Sequence, residues 1–427
     1  MLHALKNRDY RYLWLGQSVS HLGDQFHLIA LPWLVLAVTG DPLQLGLVLA
    51  AAGVPRALLM LVGGAIADRV SPRLLMLVSD VVRLAITGAL VAVILTGTIR
   101  LWMVYALAIS FGVVGGFFLP AAEATLPRLL REDQLAAGNS LMMIADQAAQ
   151  FIGPALAGTV IALLGGAVSG TAGAMTGIAA AFAVDGLTFG IGAVTLWLMR
   201  PLAGFGSPHH PLRDVAIGLR FVWGNLTIRV MVIVIALANF LLTGPLMVGL
   251  PVLAATRLAE GAAAFGMILS AYALGNLAGM GLAGVKPPSA RVMGWLGVGI
   301  FPFLAVIYGA LGVVDSTWVA VALMVVGGVG NGYLSITIIT QLQRMTPKKL
   351  LGRVMSLLML SMYGLGPLSQ VIAGSVLHYS LPGLFAGAAA GLMIPAVLAL
   401  RHRSVWEFAP VPEPEAEPSA RPEAATV

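Results

Sequence analysis

The chain contains no cysteine in its 427 residues. Disulfides, thiolate nucleophiles and cysteine-held metals are therefore excluded, and no redox compartment follows. Charge is scarce too: Asp, Glu, Lys and Arg make up 10% of the sequence, against 59% hydrophobic residues and a mean hydropathy of +0.94. One soluble core cannot hide that much apolar surface, which places the chain in a lipid bilayer. No GxxxxGK[ST] phosphate loop is present, which argues against ATP as an energy source. No GxSxG elbow or His-containing metal pattern is present either, which argues against an enzyme, a cofactor or a metal centre.

What is present is a succession of long apolar runs, each able to cross roughly 30 Å of hydrocarbon as a helix. Twelve can be placed, at 12–38, 43–67, 74–96, 101–125, 137–164, 172–199, 226–250, 263–284, 291–313, 317–339, 352–377 and 382–400. Their unbroken hydrophobicity excludes a transmembrane barrel, whose strands are short and alternating. If the N-terminus is cytoplasmic, most of the 24 Lys and Arg fall on that side, and outside remain only Arg100 and Arg257. Both termini are expected to be cytoplasmic. The net charge of +6 reflects this bias and attraction to anionic lipids, not a nucleic-acid partner. Residues 1–10 are polar and the first run continues to Val38, which predicts an uncleaved first span.

The longest internal polar connection, 201–225, divides the runs six plus six. Within it, Arg213 to Trp223 has the spacing of an amphipathic surface helix or of an extension of span seven. The expected organisation is a first half at 1–200, a linker at 201–225, a second half at 226–402 and a Pro- and Glu-rich disordered tail at 403–427. A weak internal repeat supports the division. "LPRLLREDQLAAGNSL" from Leu126 and "LQRMTPKKLLGRVMSL" from Leu342 share five residues in register, and Gly153-Pro154 and Gly366-Pro367 sit at matching depths beyond them. Two such halves with a site between them are a common transporter plan.

The stretch "GGAIADRVSPR", from Gly63 to Arg73, breaks one apolar run and begins the next. Its glycines allow close helix approach, Pro72 starts a helix, and Asp68 can accept from helix N-terminal amides or pair with Arg69 or Arg73. This segment resembles the loop between helices two and three of the major facilitator superfamily: Gly64, Ile66, Ala67, Asp68, Arg69 and Arg73 match, while Ser71 and Pro72 depart from the usual residues. "RDYRYLWLGQSVSHLGDQFHLIALPWLVLAVTG", "SDVVRLA" and "GNSLMMIADQAAQFIGPALAG" are similar to the drug:proton antiporter branch that contains macrolide-efflux proteins and the enterobactin exporter. The resemblance implies an all-α membrane protein of 12 transmembrane helices in two pseudo-symmetric six-helix halves. It also implies a gate of Asp68 with Glu123 on span four, and an exporter-type motif at Gly153, Pro154 and Gly158. The bland reading of that motif is close helix packing.

Ionisable groups at mid-depth are costly and mark candidate sites. Gln17, Ser20, Asp24 and His27 share one face of span one, expected to look into a cavity, with Asp24 and His27 placed to share a proton. Asp146, on a face of span five with Asn139 and Gln150, is a second coupling candidate. Arg56 needs a carboxylate, such as Asp24, or an anionic substrate. By resemblance spans three and six lie off the cavity, so Asp80 and Arg83 are expected to be a packing ion pair and Asp185 a satisfied structural acid. The second half offers amides and aromatics instead, Asn239, Tyr272, Asn276, Asn331, Tyr333, Tyr363 and Gln370, as a neutral substrate wall. The 19 Met residues suit an adaptable apolar surface or ordinary packing.

These residues and the resemblance predict a monomeric secondary transporter of the bacterial inner membrane, moving a small-molecule substrate with protons and lipids as its other partners. Efflux of bulky apolar or cationic compounds by alternating access is the leading expectation. Export or flipping of one endogenous amphiphile, such as a siderophore or lysolipid, is the alternative, and a non-transporting sensor a remote one.

Overall fold

The structure is a computed structural model that describes residues 3–165, 172–201, 219–285, 290–346 and 350–401. Side chains at 61–69, 172, 290–297, 344, 351–353, 356 and 363 lie outside that description. Outside it therefore fall the side chains of Asp68, Arg69 and Tyr363, most of the expected amphipathic segment, and the tail.

Helices account for nearly all of what is described. In chain order they are α1 (Arg8–Thr39), α2 (Pro42–Arg69), α3 (Pro72–Leu95), α4 (Leu101–Leu129), α5 (Glu132–Gly165), α6 (Ala172–Leu198), α7 (Leu226–Gly244), α8 (Leu250–Arg257), α9 (Ala262–Val285), α10 (Ala290–Leu311), α11 (Thr317–Met345), α12 (Leu351–Tyr363), α13 (Gly366–Leu377), α14 (Leu381–Gly391) and α15 (Met393–Arg401). Among the described residues, 11 helical stretches are long and apolar enough to span a bilayer, and Val298–Leu311 is a shorter apolar helix. Hydrocarbon offers backbone groups no partners, so closing every hydrogen bond within a helix is the available solution.

Chain ends of helices follow local chemistry. The Asn7 side chain accepts from the amides of Asp9 and Tyr10 and so starts α1, while Gly40, at φ 63°, ends it. Pro72 is the first residue of α3, as its fixed φ favours. Three expected spans are interrupted by proline. A π-helical segment, Pro245–Gly249, joins α7 to α8, so span seven runs Leu226–Arg257, seven residues beyond the expected Leu250. Span eleven breaks between Tyr363 and Gly366, and span twelve at Leu392. Pro367 and Pro395 each remove the N–H that would bond a carbonyl four residues back, Tyr363 and Gly391 respectively.

Helices α1–α6 pack among themselves, chiefly α1 on α5 and α6, α3 on α4 and α6, and α2 on α4. Those after Leu226 do the same, with α9 on α11, α10 on α14 and α15, and α7 on α12 and α13. Two seams join the sets, α5 with α9 and α2 with α13. Both are glycine-lined. A Cβ on Gly158 would strike the Ala262 carbonyl, one on Gly266 the Pro154 carbonyl, and one on Gly46 the Gln370 carbonyl. A Cβ on Gly53 would meet the Pro367 ring at 2.7 Å.

The apolar core is asymmetric along the bundle. Taking the end where α1 starts as the near end, one large cluster at the far end merges both sets, from Leu34, Val48 and Ile161 to Phe265, Leu311 and Phe385. The near-end clusters each belong to a single set: Leu13, Met76, Phe118 and Leu196, or Tyr10, Leu126 and Leu141, in the first; Met231, Ile300 and Ala399, or Val222, Leu342 and Leu357, in the second. Among the described residues, the sets are thus packed together at the far end and separately cored at the near end.

Candidate functional site

The polar face of α1 is not uniformly turned to a cavity. Gln17 and Ser20 are buried, and the glycines on either side of them pack on α6, Gly16 against Thr195 and Gly23 against Thr188. The expected proton partner of His27 is also corrected. Its Nδ1 lies 3.2 Å from Oδ2 of Asp185 on α6, while its ring stacks on Phe111 at 4.4 Å and meets Phe182 edge-on. His27 also lines a cavity of about 60 Å³ together with Leu31, Pro32, Leu49, Met247 and Phe265. That void lies between the two sets and is far below the roughly 300–1,000 Å³ of a site for a drug-sized molecule.

Asp185 is fully buried but not satisfied, since its Oδ1 has no hydrogen-bond partner. The expectation of a structural ion pair on α3 is overturned as well. Neither oxygen of the buried Asp80 has a hydrogen-bond partner, and no ion pair joins it to Arg83. The Arg83 guanidinium instead sits among the rings of Phe118, Phe189 and Phe111, at 4.7, 5.3 and 5.9 Å, where cation–π attraction replaces a carboxylate. Asp24, half-buried on α1, acts electrostatically on both Asp80 and Asp185, as does Arg83. Five ionisable groups from α1, α3 and α6 therefore share one region.

A second polar group lies on the opposite flank of α1. Asp146 of α5 accepts a 2.8 Å hydrogen bond from Nε2 of Gln150, and its other oxygen is 3.8 Å from Nδ1 of His21. Both members of that pair are about one-third exposed, at 34% for His21 and 37% for Asp146. His21 was not singled out from sequence, although a histidine inside an apolar run carries the same burial cost as the residues that were. Asn139 is exposed and takes no part in this group.

The residues expected to form a gate are placed in part. Arg73 donates from Nε to the Leu196 carbonyl at 2.7 Å and from a terminal nitrogen to that of Trp197 at 2.8 Å, tying α3 to the last turn of α6. A cation there complements the helix C-terminus. Glu123 is exposed on α4. Arg56 lies along Gly115 of α4, 3.0 Å from where a Cβ would stand.

In the second set, Tyr272 hydrogen-bonds Asn276. Asn239 donates from Nδ2 to the Ile235 carbonyl of its own helix at 3.0 Å. Oε1 of Gln370 is buried without a partner, and Asn331 is half-buried on α11. At the α5–α9 seam, Gly153 packs on Gln25 of α1, while Pro154 and Gly158 face α9. Ser270 accepts from the Ala155 amide at 3.0 Å across that seam. The spacing Ala262-x-x-x-Gly266-x-x-x-Ser270 was the sequence signal for this contact. Ser369 of α13 works similarly on α7: it accepts from the Gly244 amide at 2.8 Å and donates to the Phe240 carbonyl, entering the break before the π segment.

A sequence family described as transmembrane secretion effector matches residues 1–421. The multidrug efflux pump Tap of Mycolicibacterium fortuitum is 27% identical over 391 residues, covering 86% of this chain and 91% of that protein. The uncharacterized MFS-type transporter YfiS of Bacillus subtilis (strain 168) is 30% identical over 151 residues, only 35% of each chain. Among solved structures, a bacterial homologue of the iron transporter ferroportin in an inward-facing state has a TM-score of 0.67 at 17% identity, covering 94% of this chain and 99% of that one. At that identity the likeness is one of fold. A multi-pass membrane transporter whose cargo is a small molecule, this chain belongs to the transmembrane secretion effector family of the major facilitator superfamily.

Proposed function

We propose that this protein is a secondary exporter that couples efflux of bulky apolar or cationic compounds to proton entry by alternating access between two six-helix halves. The single observation that carries the reading is the axial asymmetry among the described residues: a core shared by both sets at the far end, and separate cores at the near end. With the basic residues and both termini on the cytoplasmic side, the near end faces the cytoplasm and this is a cytoplasm-open state. The likeness to Tap supports a multidrug cargo.

The glycine seams supply the hinge surfaces. Small residues let backbones slide and rock in contact, because no side chain must be repacked. Asp24 and the His21–Asp146–Gln150 group, part-exposed on α1 and α5, are the proton carriers of this reading. A protonated Asp146 no longer repels, and no longer attracts, charge in the opening. The neutral wall of Tyr272, Asn276 and Asn331 contacts cargo without discriminating strongly among apolar shapes. Asp68 and Glu123 would latch the cytoplasmic gate.

The test is purified protein in liposomes with an imposed pH gradient, following lipophilic cations and macrolides. Gradient-driven movement that fails in both Asp24→Asn and Asp146→Asn supports the reading. Equal movement in wild type and both variants sinks the assignment of carriers. No movement of any compound by folded wild type sinks the multidrug reading in favour of a single endogenous amphiphile.

A further inference from the structure

We propose that Trp33 of α1, with the seat made for it by Gly261 and Phe265, is the latch that holds the two sets together at the far end, and that the cavity beside Phe265 is the slack into which it yields. This role rests on the alternating-access reading above.

The latch joins parts that belong to different sets. Trp33 lies in the last two turns of α1 and Phe265 in the first turn of α9. Their rings stack with centroids 6.1 Å apart and planes at 14°, within the range of a favourable offset pair. Gly261 completes the seat: a Cβ on it would stand 3.7 Å from the Trp33 ring, and its φ of 52° is a turn conformation that favours glycine. The seat is braced within the second set. Arg257 donates to the Gly312 carbonyl at 3.0 Å and stands 3.7 Å from Asp315, while Glu260 accepts from the Thr317 hydroxyl. These contacts tie the turn before α9 to the connection between α10 and α11, so the seat travels with its own set and Trp33 with the other.

This contact differs in kind from the seam beside it. At Ala262 and Gly266, α9 meets Gly158 and Pro154 of α5 through backbone and small residues, surfaces that slide without baring a large side chain. Parting Trp33 from Phe265 uncovers two large rings, the second only 1% exposed, so the cost of opening the far end concentrates there. A ring packed so closely needs room to turn. Protein interiors hold few voids larger than a water molecule, yet Phe265 borders one of about 60 Å³, shared with Leu31 and Leu49 of the first set and Met247 of the second. Apart from His27 its lining is apolar, which offers water few partners. The joint therefore has slack next to the latch.

Because the chain has no cysteine, any introduced thiol is its only one. The reporter is Leu31→Cys, buried on the cavity wall, in the full-length protein in vesicles of known orientation. A membrane-impermeant maleimide is added on the far side, at concentrations where the labelling rate scales with reagent and so reads the open fraction. Adding Trp33→Ala should raise the rate at least about tenfold, equivalent to about 1.4 kcal/mol. Trp33→Phe, which keeps a ring, should raise it less, and Leu49→Phe, which fills the cavity, should lower it. An unchanged rate in Trp33→Ala overturns the proposal. Equal acceleration at Met231→Cys, a buried reporter in a near-end cluster labelled from the cytoplasmic side, also overturns it, because that marks general loosening. Labelling of Leu31→Cys as fast as an exposed thiol with Trp33 in place overturns it without any latch variant having to fold. A faster rate in Leu49→Phe overturns the part given to the cavity. The cytoplasm-open reading has its own reporter, Ser18→Cys on the near half of α1, which should label from the cytoplasmic side with Trp33 in place. If it does not while Leu31→Cys behaves as expected, the latch stands and that reading falls; if it does and Trp33→Ala changes nothing, the reverse holds.

Discussion

The helices before residue 201 and those after 226 solve the same packing problem with different interiors. The first set carries Asp24, His27, Asp80, Arg83, Asp146 and Asp185 within its helices. Between residues 226 and 401 the acids are Glu260 and Asp315 alone. Both lie between helices, where Glu260 accepts from the Thr317 hydroxyl and Asp315 stands 3.7 Å from Arg257. Yet the seams correspond: Pro154 of α5 meets Gly266 of α9 as Pro367 of α13 meets Gly53 of α2. Backbone geometry is shared and charge is not. Under the proposed function, rocking would use both sets, whereas proton chemistry would use only one.

Neutralising charge should break this contrast most strongly. Asp24→Asn and Asp146→Asn should each lower gradient-driven efflux at least about tenfold, since one pH unit is worth about 1.4 kcal/mol per proton carried. In the second set, Gln370→Leu, which also removes a buried unpaired oxygen, should leave the dependence on the gradient intact. Flux measured in proteoliposomes decides between these outcomes, and an equal loss in both sets would erase the distinction.

The seams should come next. Gly158→Leu and Gly46→Leu place a side chain against a facing carbonyl. Overpacking of this kind costs about 1–3 kcal/mol, and the two should lower the unfolding temperature alike if the seams are equivalent. A large effect at one and none at the other would show that a single seam carries the joint.

Smaller effects test the serine bridges. Ser270→Ala and Ser369→Ala should each cost about 1 kcal/mol, read from thermal unfolding, because a buried amide loses an acceptor. Ser369→Ala should also change hydrogen exchange at Gly244, since that amide sits at the break in α7. The smallest expected change is in Asn239→Leu, within about 0.5 kcal/mol, because that side chain's one hydrogen bond is to its own helix. A marked loss of transport in that variant would place Asn239 on the cargo route after all.

Much of the fold was legible because lipid leaves the backbone few choices. Apolar runs of span length become helices, and the small-residue motif at Gly153, Pro154 and Gly158 lies where helices touch. The interruptions at Gly364–Leu365 and Leu392 were not expected, although Pro367 and Pro395 were visible, because proline is also tolerated inside α1, α2, α4, α5 and α10. Whether a helix bends or breaks there depends on what neighbours supply to the freed groups.

The site was legible by residue type and not by partnership. Sequence alone determined that acids and histidines lie within spans one, three, five and six, since their cost in hydrocarbon makes them conspicuous wherever they occur. It also determined the run lengths and the small-residue motif, because these are local properties of one helix. Only the tertiary structure decided that His27 reaches Asp185, 158 positions away, rather than Asp24 three positions away. It likewise decided that Arg83 lies among aromatic rings rather than against Asp80. Spacing along a helix fixes which residues share a face, but the helix opposite that face decides which of them are paired, and packing sets that rotation.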